Sequence, residues 1–318
     1  MSEILVFCEK DDVAFELVSK GKEFKDALGM SLAAALLGKD AAGKADEYFA
    51  YGADKVYVSE DAALADFTAE AYAEALYQIA QKNGAEVLLM GSTKRGKELA
   101  PRVAQKLGAG CVTDANGVRV EDGQLVADRY ALGGNTVSSG AIKTVQKVIA
   151  VMPKTFELGA KEAKQGGVVD AALDLKAPRT RIVERREKAG EAVNLEEAEA
   201  IVCIGRGLEK KEDLGIVEDL AKALGAEVGC TKSLCTDWEW LSEERLVGLS
   251  GKKTSPRLCI SVGISGQIQY TVGIRGARIT VAINKDENAP IFAMSDYGIV
   301  GDLYDVVPRL TEKLKSLS

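Results

Sequence analysis

Residues 261–274 read SVGISGQIQYTVGI, the end of an apolar run (258–262) followed by glycines at 263, 266 and 273. Glycine inside a regular element costs roughly 0.5–1 kcal/mol relative to alanine, so such a cluster marks a tight turn or the close approach of something. An apolar strand that ends in a Gly/Ser turn and opens into a helix is the backbone geometry of a phosphate site. The first N–H groups of a helix are unpaired and lie at the positive end of its dipole. The same residues also suit a strand-to-helix turn that holds nothing. Both readings make the stretch one unit of an α/β fold.

The 318 residues suffice for two domains of ordinary size, and the 47% hydrophobic content supports well-formed cores. A formal charge of −7 and a pI near 5.1 argue against nucleic acid as the main partner, because phosphate backbones are bound by basic faces. The longest apolar run, 30–37, falls far short of the ~20 residues of a spanning helix. The opening MSEILVFCEKDD lacks the basic flank of a signal peptide, so a cytoplasmic protein without membrane insertion is expected. Six scattered cysteines, with no C-x-x-C, fit reduced thiols. There is no histidine, which removes Ser-His-Asp and Cys-His catalysis and all His-ligated metals. Redox or group-transfer chemistry would then fall to a bound cofactor.

The first half alternates strand signals (4–8, 31–38, 55–58, 87–91) with helical ones (13–28, 65–82, 97–107). Such alternation implies a mostly parallel sheet with helices on both faces. After Gly110 the texture becomes alternating and turn-rich, as in a hairpin addition, and an apolar strand resumes within KTVQKVIAVMP. Charges crowd residues 179–198, placing a boundary that gives domains 1–188 and 189–318. The second half restarts the alternation, with strands at 200–204, 227–230, 258–262, 279–283 and 291–294. A helix at 212–224 and a final helix over about 301–315, kinked or interrupted at Pro308, complete it. The fold class is α/β, with two domains that are each a mostly parallel, doubly wound sheet.

Four loops after these strands can converge on one sheet edge. Gly205-Arg206-Gly207 lacks the third glycine of the dinucleotide fingerprint, and Thr231-Lys232 follows a strand. Ser250-Gly251-Lys252 lacks P-loop spacing, and the opening stretch is the fourth loop. Asn284 and Asp296 stand after apolar runs, where an amide and a carboxylate can bond ribose hydroxyls. Singly each is an ordinary turn; together they suit an extended ligand with ribose and phosphate.

The run GISGQIQYTVGIRGARITVAINKDENAPIFAMSDYGIVGDLYDVVPRL closely resembles the carboxy-terminal signature of the alpha subunit of electron-transfer flavoproteins. In that family the run reads G-I-S-G-x-I-Q-H, then V-A-I-N-K-D-x-x-A-P-I-F, then A-D-Y-G-[ILV]-V-x-D-L. The wording GISGQIQ, with ERLVG, looks most like the branch tied to nitrogen fixation, carnitine-linked metabolism and some electron-bifurcating systems. KRGKELAPRVAQKLGAG followed by TD is similar to the family in the first domain. The resemblance implies a Rossmann-like second domain that binds FAD and a first domain that packs on a separate beta subunit. It implies relay of electrons between a donor, such as an acyl-CoA or other dehydrogenase or a partner flavin, and an acceptor such as a quinone reductase or ferredoxin. Ser265 and the Gly266 backbone would face the pyrophosphate, with Gly263, Ile264 and Gln267 among the cofactor-binding residues of the same loop. Asn284, Asp296 and Tyr297 would hold the adenosine end, with Lys285 near phosphate. Gly205, Arg206 and Gly207 would line the same edge.

The flavin end departs from the family. Its Ser-Arg is Thr231-Lys232 here, its Gln-Thr-Gly-Lys is Leu249-Ser250-Gly251-Lys252, and its I-Q-H is Ile268-Gln269-Tyr270. Ser250 keeps a hydroxyl for the flavin N5, Lys232 keeps a charge without the planar fork of arginine, and Leu249 removes an amide. Tyr270 places a weakly acidic hydroxyl where the family's histidine faces the pyrimidine end of the ring, a donor without positive charge. A second reading, motivated by Lys232, Leu249 and Tyr270, is a scaffold subunit of the same fold that has lost FAD. A nicotinamide-dependent dehydrogenase is disfavoured by the incomplete fingerprint and the missing histidine. These substitutions predict weaker stabilisation of the one-electron-reduced anionic flavin than is usual in the family. A reductive titration should show little of its red species, and strong accumulation would overturn the expectation.

Overall fold

The computed structural model describes residues 2–134, 136–180, 182–184 and 193–317. The chain forms two compact units, Met1–Arg186 and Glu187–Ser318. The charged segment 179–198 spans the change of unit, and its residues 185–192 lie outside the described ones.

The first unit runs β1 (Glu3–Phe7), α1 (Asp11–Leu28), β2 (Ser31–Leu37), α2 (Ala45–Ala50), β3 (Lys55–Ser59), α3 (Ala69–Asn83), β4 (Ala85–Gly91) and α4 (Lys94–Leu107). It continues through β5 (Gly110–Glu121), β6 (Gln124–Ala131), β7 (Thr136–Ala141), β8 (Lys147–Val151) and β9 (Gly167–Asp170). Its sheet has the order β7-β6-β5-β8-β4-β1-β2-β3-β9. The turn-rich stretch after Gly110 forms the antiparallel ladder β5-β6-β7 at one edge, and β8 inserts in parallel between β5 and β4. The inner strands are mostly apolar because both faces are covered: Ile4 and Val6 enter one core, Leu5 and Phe7 the other. On α1, Val13, Ala14, Leu17, Val18, Gly21 and Phe24 are buried at helical spacing, and Gly29 ends the helix in the left-handed conformation. Helix α3 starts later than the apolar period suggests, at Ala69, because the Thr68 hydroxyl caps it by accepting from the Ala71 N–H.

The second unit runs β10 (Ala200–Ile204), α5 (Leu214–Leu224), β11 (Glu227–Cys230), β12 (Leu258–Val262), α6 (Ile268–Thr271), β13 (Ile279–Asn284), β14 (Tyr297–Val300) and α7 (Leu303–Lys315). Its five strands lie parallel in the order β11-β10-β12-β13-β14. Helices α5 and α7 cover one face around Val217, Leu220, Leu303 and Val307. The other face is covered by short turns carrying Tyr270, Ile274, Ala289 and Ile291.

Three expectations change here. Residues 291–294 are not a strand: Pro290–Met294 is a 3-10 turn led by proline, which has no N–H for a ladder, and Ile291 plugs the core. The last strand is instead β14. The helix expected after the 261–274 turn is a single four-residue turn, α6. Pro308 does not interrupt α7, which continues to Lys315.

Glu16, on α1, is half-buried. Burial first of all, with Asp12 adding to it, pushes its carboxyl up to about 7, although it accepts the Lys154 N–H at 2.9 Å. A carboxyl raised above its unfolded value contributes stability that is complete below the ordinary carboxylate range and is lost as pH rises through about 7. Glu16→Gln keeps the acceptor and removes the titration. Thermal unfolding between pH 5 and pH 8 should therefore vary less with pH in the variant than in the wild type.

Candidate functional site

The order of the second sheet reverses beside β10. The chain leaves β10 through α5 to reach β11 on one side, whereas β12 lies on the other. Loops that part in opposite directions leave a crevice at the carboxyl ends of the strands. A cavity of about 480 Å³ opens there. Its wall comprises Gly205, Arg206, Gly207, Thr231, Lys232 and Ser233 with Leu246, Val247, Gly248, Leu249 and Ser250. Gly263, Ile264, Ser265, Gln267, Gln269, Tyr270 and Asn284 complete it. A pocket of about 50 Å³ adjoins, sharing Gly207, Gly263 and Asn284 and adding Lys285, Asp302 and Tyr304 among others.

Much of the glycine content serves contact between loops. The Gly207 N–H donates to the Gly263 carbonyl at 2.9 Å. A Cβ on Gly207 would lie 2.6 Å from the Gly263 Cα, and one on Gly263, where φ is 61°, would lie 2.8 Å from the Gly207 Cα. The loops after β10 and β12 thus meet backbone to backbone, which no side chain permits. Gly251 and Gly266 are outside the cavity wall, and their close neighbours are Leu246 and Ile291.

In the turn after β12, the backbone N–H groups of Ser265, Gly266, Gln267, Ile268 and Gln269 have no hydrogen bond to the rest of the described chain. Consecutive bare N–H groups make a concavity suited to an anion. The charged side chains of the wall, Arg206 and Lys232, are both cationic and exposed. Asn284 is partly committed: its Nδ2 donates to the Ile264 carbonyl at 2.9 Å and its Oδ1 accepts the Asp286 N–H at 3.0 Å, leaving one N–H and one lone pair.

Three sequence-derived residues sit differently from expectation. Tyr270 is in the wall, but its hydroxyl is 2.7 Å from Ser261 Oγ in the core, beside the thiols of Cys203 and Cys259. Burial holds the phenol far above its ordinary range, so it stays neutral, and its hydroxyl is spent on Ser261. Asp296 and Tyr297 lie at the opposite edge of the sheet. The Asp296 carboxylate accepts the Thr280 N–H at 2.8 Å and its hydroxyl at 2.9 Å, at the amino end of β13. Four residues of strand, about 13 Å, separate Thr280 from Asn284. Asp302, with Glu209, is a carboxylate at the carboxyl edge, and the sequence does not single it out because the final strand lies one segment later than the apolar runs suggest. Asp302 Oδ1 caps α7 by accepting the Tyr304 N–H at 2.9 Å. The pairing of 297–300 with β13 was the signal that located it.

A parallel α/β sheet with a cationic, N–H-rich crevice at its switch point defines a nucleotide-cofactor class of domain. The family described as "Electron transfer flavoprotein domain" matches residues 4–176, and the "Electron transfer flavoprotein FAD-binding domain" matches residues 194–275. The chain belongs to the electron transfer flavoprotein alpha-subunit family, and FAD is the cofactor this membership supports. It is 36% identical over 327 residues to "Electron transfer flavoprotein subunit alpha" of Thermoanaerobacterium thermosaccharolyticum, covering 99% of this chain and 98% of that protein. It is 35% identical to the protein of the same name from Bacillus subtilis, with coverage of 98% and 95%. It is 34% identical to "Lactate dehydrogenase (NAD(+),ferredoxin) subunit LctC" of Acetobacterium woodii, with coverage of 94% and 72%.

Gly263→Ala forces a left-handed backbone and a backbone clash together. It should cost about 1–3 kcal/mol, read as a fall of several degrees in the thermal midpoint.

Proposed function

We propose that the chain binds FAD in the crevice between β10 and β12 and relays electrons as the alpha subunit of a heterodimer with an electron-transfer flavoprotein beta subunit. The observation that carries this reading is the run of five bare N–H groups at 265–269, three of whose residues (Ser265, Gln267 and Gln269) line the cavity together with the cations Arg206 and Lys232. A ligand with a diphosphate fits that chemistry, since the amides can exchange water for phosphate oxygens and Arg206 and Lys232 supply the opposite charge. The turn at 265–269 would hold the diphosphate. Asn284, with its spare amide valences, and Asp302 would take ribose hydroxyls. Ser250 would offer its hydroxyl at the ring end, and exposed Leu249 would shield the ring from water. Bound FAD supplies the redox chemistry, while this chain supplies position, charge and exclusion of solvent.

Donor and acceptor are carried over from the family resemblance and belong to this proposal. A dehydrogenase or partner flavin would deliver electrons, and ferredoxin or a quinone reductase would accept them. The likeness to a subunit named for NAD⁺ and ferredoxin supports a place in an oxidoreductase complex, electron-bifurcating systems included. Among the described residues no helix is long and apolar enough to cross a membrane, and the proposal keeps the cytoplasmic setting expected from the sequence. A scaffold subunit without FAD is disfavoured by the match of residues 194–275 to the FAD-binding domain of the family.

The test is the visible spectrum of the chain co-purified with its beta subunit, followed by acid release of the chromophore. One FAD per alpha chain, beyond any held by the partner, is expected; a colourless alpha chain that takes up no added FAD would refute the proposal. Arg206→Gln and Lys232→Gln should each weaken FAD binding about tenfold, as loss of a charge-assisted contact does.

A further inference from the structure

The cavity wall formed by residues 267–271 is attached to the sheet in an unusual way. The turn is short, and the buried side chains of α6 are Tyr270 and Thr271. The Thr271 hydroxyl bonds only within the turn, to the Ile268 carbonyl at 3.5 Å. The Tyr270 hydroxyl reaches across to Ser261 Oγ on β12, the central strand of the sheet, at 2.7 Å. Tyr270 is 5% exposed and Ser261 2%. Buried hydroxyls keep such partners because an unpaired one bears its full desolvation penalty.

The tether extends beyond the turn. The Gln269 carbonyl accepts the Leu249 N–H at 2.7 Å, and the backbone of Gly248 abuts the same carbonyl. Ser261 therefore fixes Tyr270, Tyr270 fixes the turn, and the turn fixes the loop that carries Leu249 and Ser250. The Tyr270–Ser261 bond is the side-chain tie between the turn and the central strand, beside backbone bonds such as Val247 N–H to the Cys230 carbonyl and Thr254 N–H to the Gly273 carbonyl.

We propose that Tyr270 is a positioning residue for FAD. Its hydroxyl, locked to Ser261, sets the affinity by holding the 267–271 turn and the 248–250 loop in place, and it makes no hydrogen bond to the flavin ring. This rests on the reading of the crevice as an FAD site. It also explains why a phenol can line a flavin cavity without tuning the ring: swinging the hydroxyl outward would strand Ser261 and the neighbouring thiols of Cys203 and Cys259.

The experiment uses the heterodimer, stripped of flavin and titrated with FAD, for wild type, Tyr270→Phe, Ser261→Ala and the double variant. Each single change should raise the FAD Kd about five- to tenfold, and the double variant should be no weaker than the weaker single, because both remove the same bond. The flavin absorption maxima and midpoint potential should stay at wild-type values in Tyr270→Phe. A shifted potential or spectrum would place the hydroxyl on the ring and overturn the proposal. Unchanged affinity in Tyr270→Phe, or additive losses in the double variant, would overturn it as well. Should Ser261→Ala fail to fold, Ser261→Cys removes the strong acceptor at similar volume and is expected to give the same loss. A wild-type alpha chain that takes up no FAD would overturn both this inference and the cofactor reading beneath it, an outcome distinct from the others.

Discussion

The site depends on one backbone contact, that between Gly207 and Gly263. A parallel sheet whose order reverses beside its first strand has a crevice at that point in any case, but its width is set by how closely the two outgoing loops approach. Here they touch at the Cα atoms, with the Gly207 N–H on the Gly263 carbonyl. That closeness turns Gly263 left-handed and steers the following residues into a turn whose amides bond nothing in the described chain. The bare amides of the crevice are thus a by-product of loop packing. They do not need the dipole of a long helix, and α6 is too short to provide one.

Around that contact the second unit is built unevenly. One face has the ordinary helix cover, with α5 and α7 burying Val217, Leu220, Leu303 and Val307. The other is covered by short turns, and these need polar as well as apolar anchors: Ile291 as a plug, its N–H on the Ser265 carbonyl at 3.0 Å, and Tyr270 bonded to Ser261. A buried polar anchor holds one arrangement of a loop where apolar contact alone would allow several. For the proposed FAD cavity, with its bare amides, two cations and a hydroxyl, such definition would matter more than a gain in stability.

Much of this was legible in the sequence. Near-continuous apolar runs of four to seven residues ending in glycine or polar loops announce parallel strands, and the helical spacing on α1 announces a two-faced core. The fold class and the family follow from those runs and from the fifty-residue signature near the carboxyl end. Less legible was anything that depends on which strand lies next to which. Residues 291–294 and 297–300 are both short apolar runs in the same signature, and β pairing alone separates them. Taking the first as the strand put Asp296 and Tyr297 at the ligand edge in place of Asp302. The proline at 290 was the available warning, since a residue without an N–H seldom opens an inner strand.

The sequence by itself determined the alternation of strands and helices, the division into two units, the absence of histidine chemistry and the loops from which a cofactor site would be drawn. These are local properties, fixed by periodicity, composition and turn residues. Tertiary structure alone decided direction: that the Tyr270 hydroxyl turns inward to Ser261, that the Asp296 carboxylate is consumed by Thr280 at the far edge, and that Gly251 and Gly266 serve packing outside the cavity wall. A side chain's partner is chosen by whatever unsatisfied group the fold brings within hydrogen-bond reach, and that choice is made across the sheet, between residues that the sequence keeps apart.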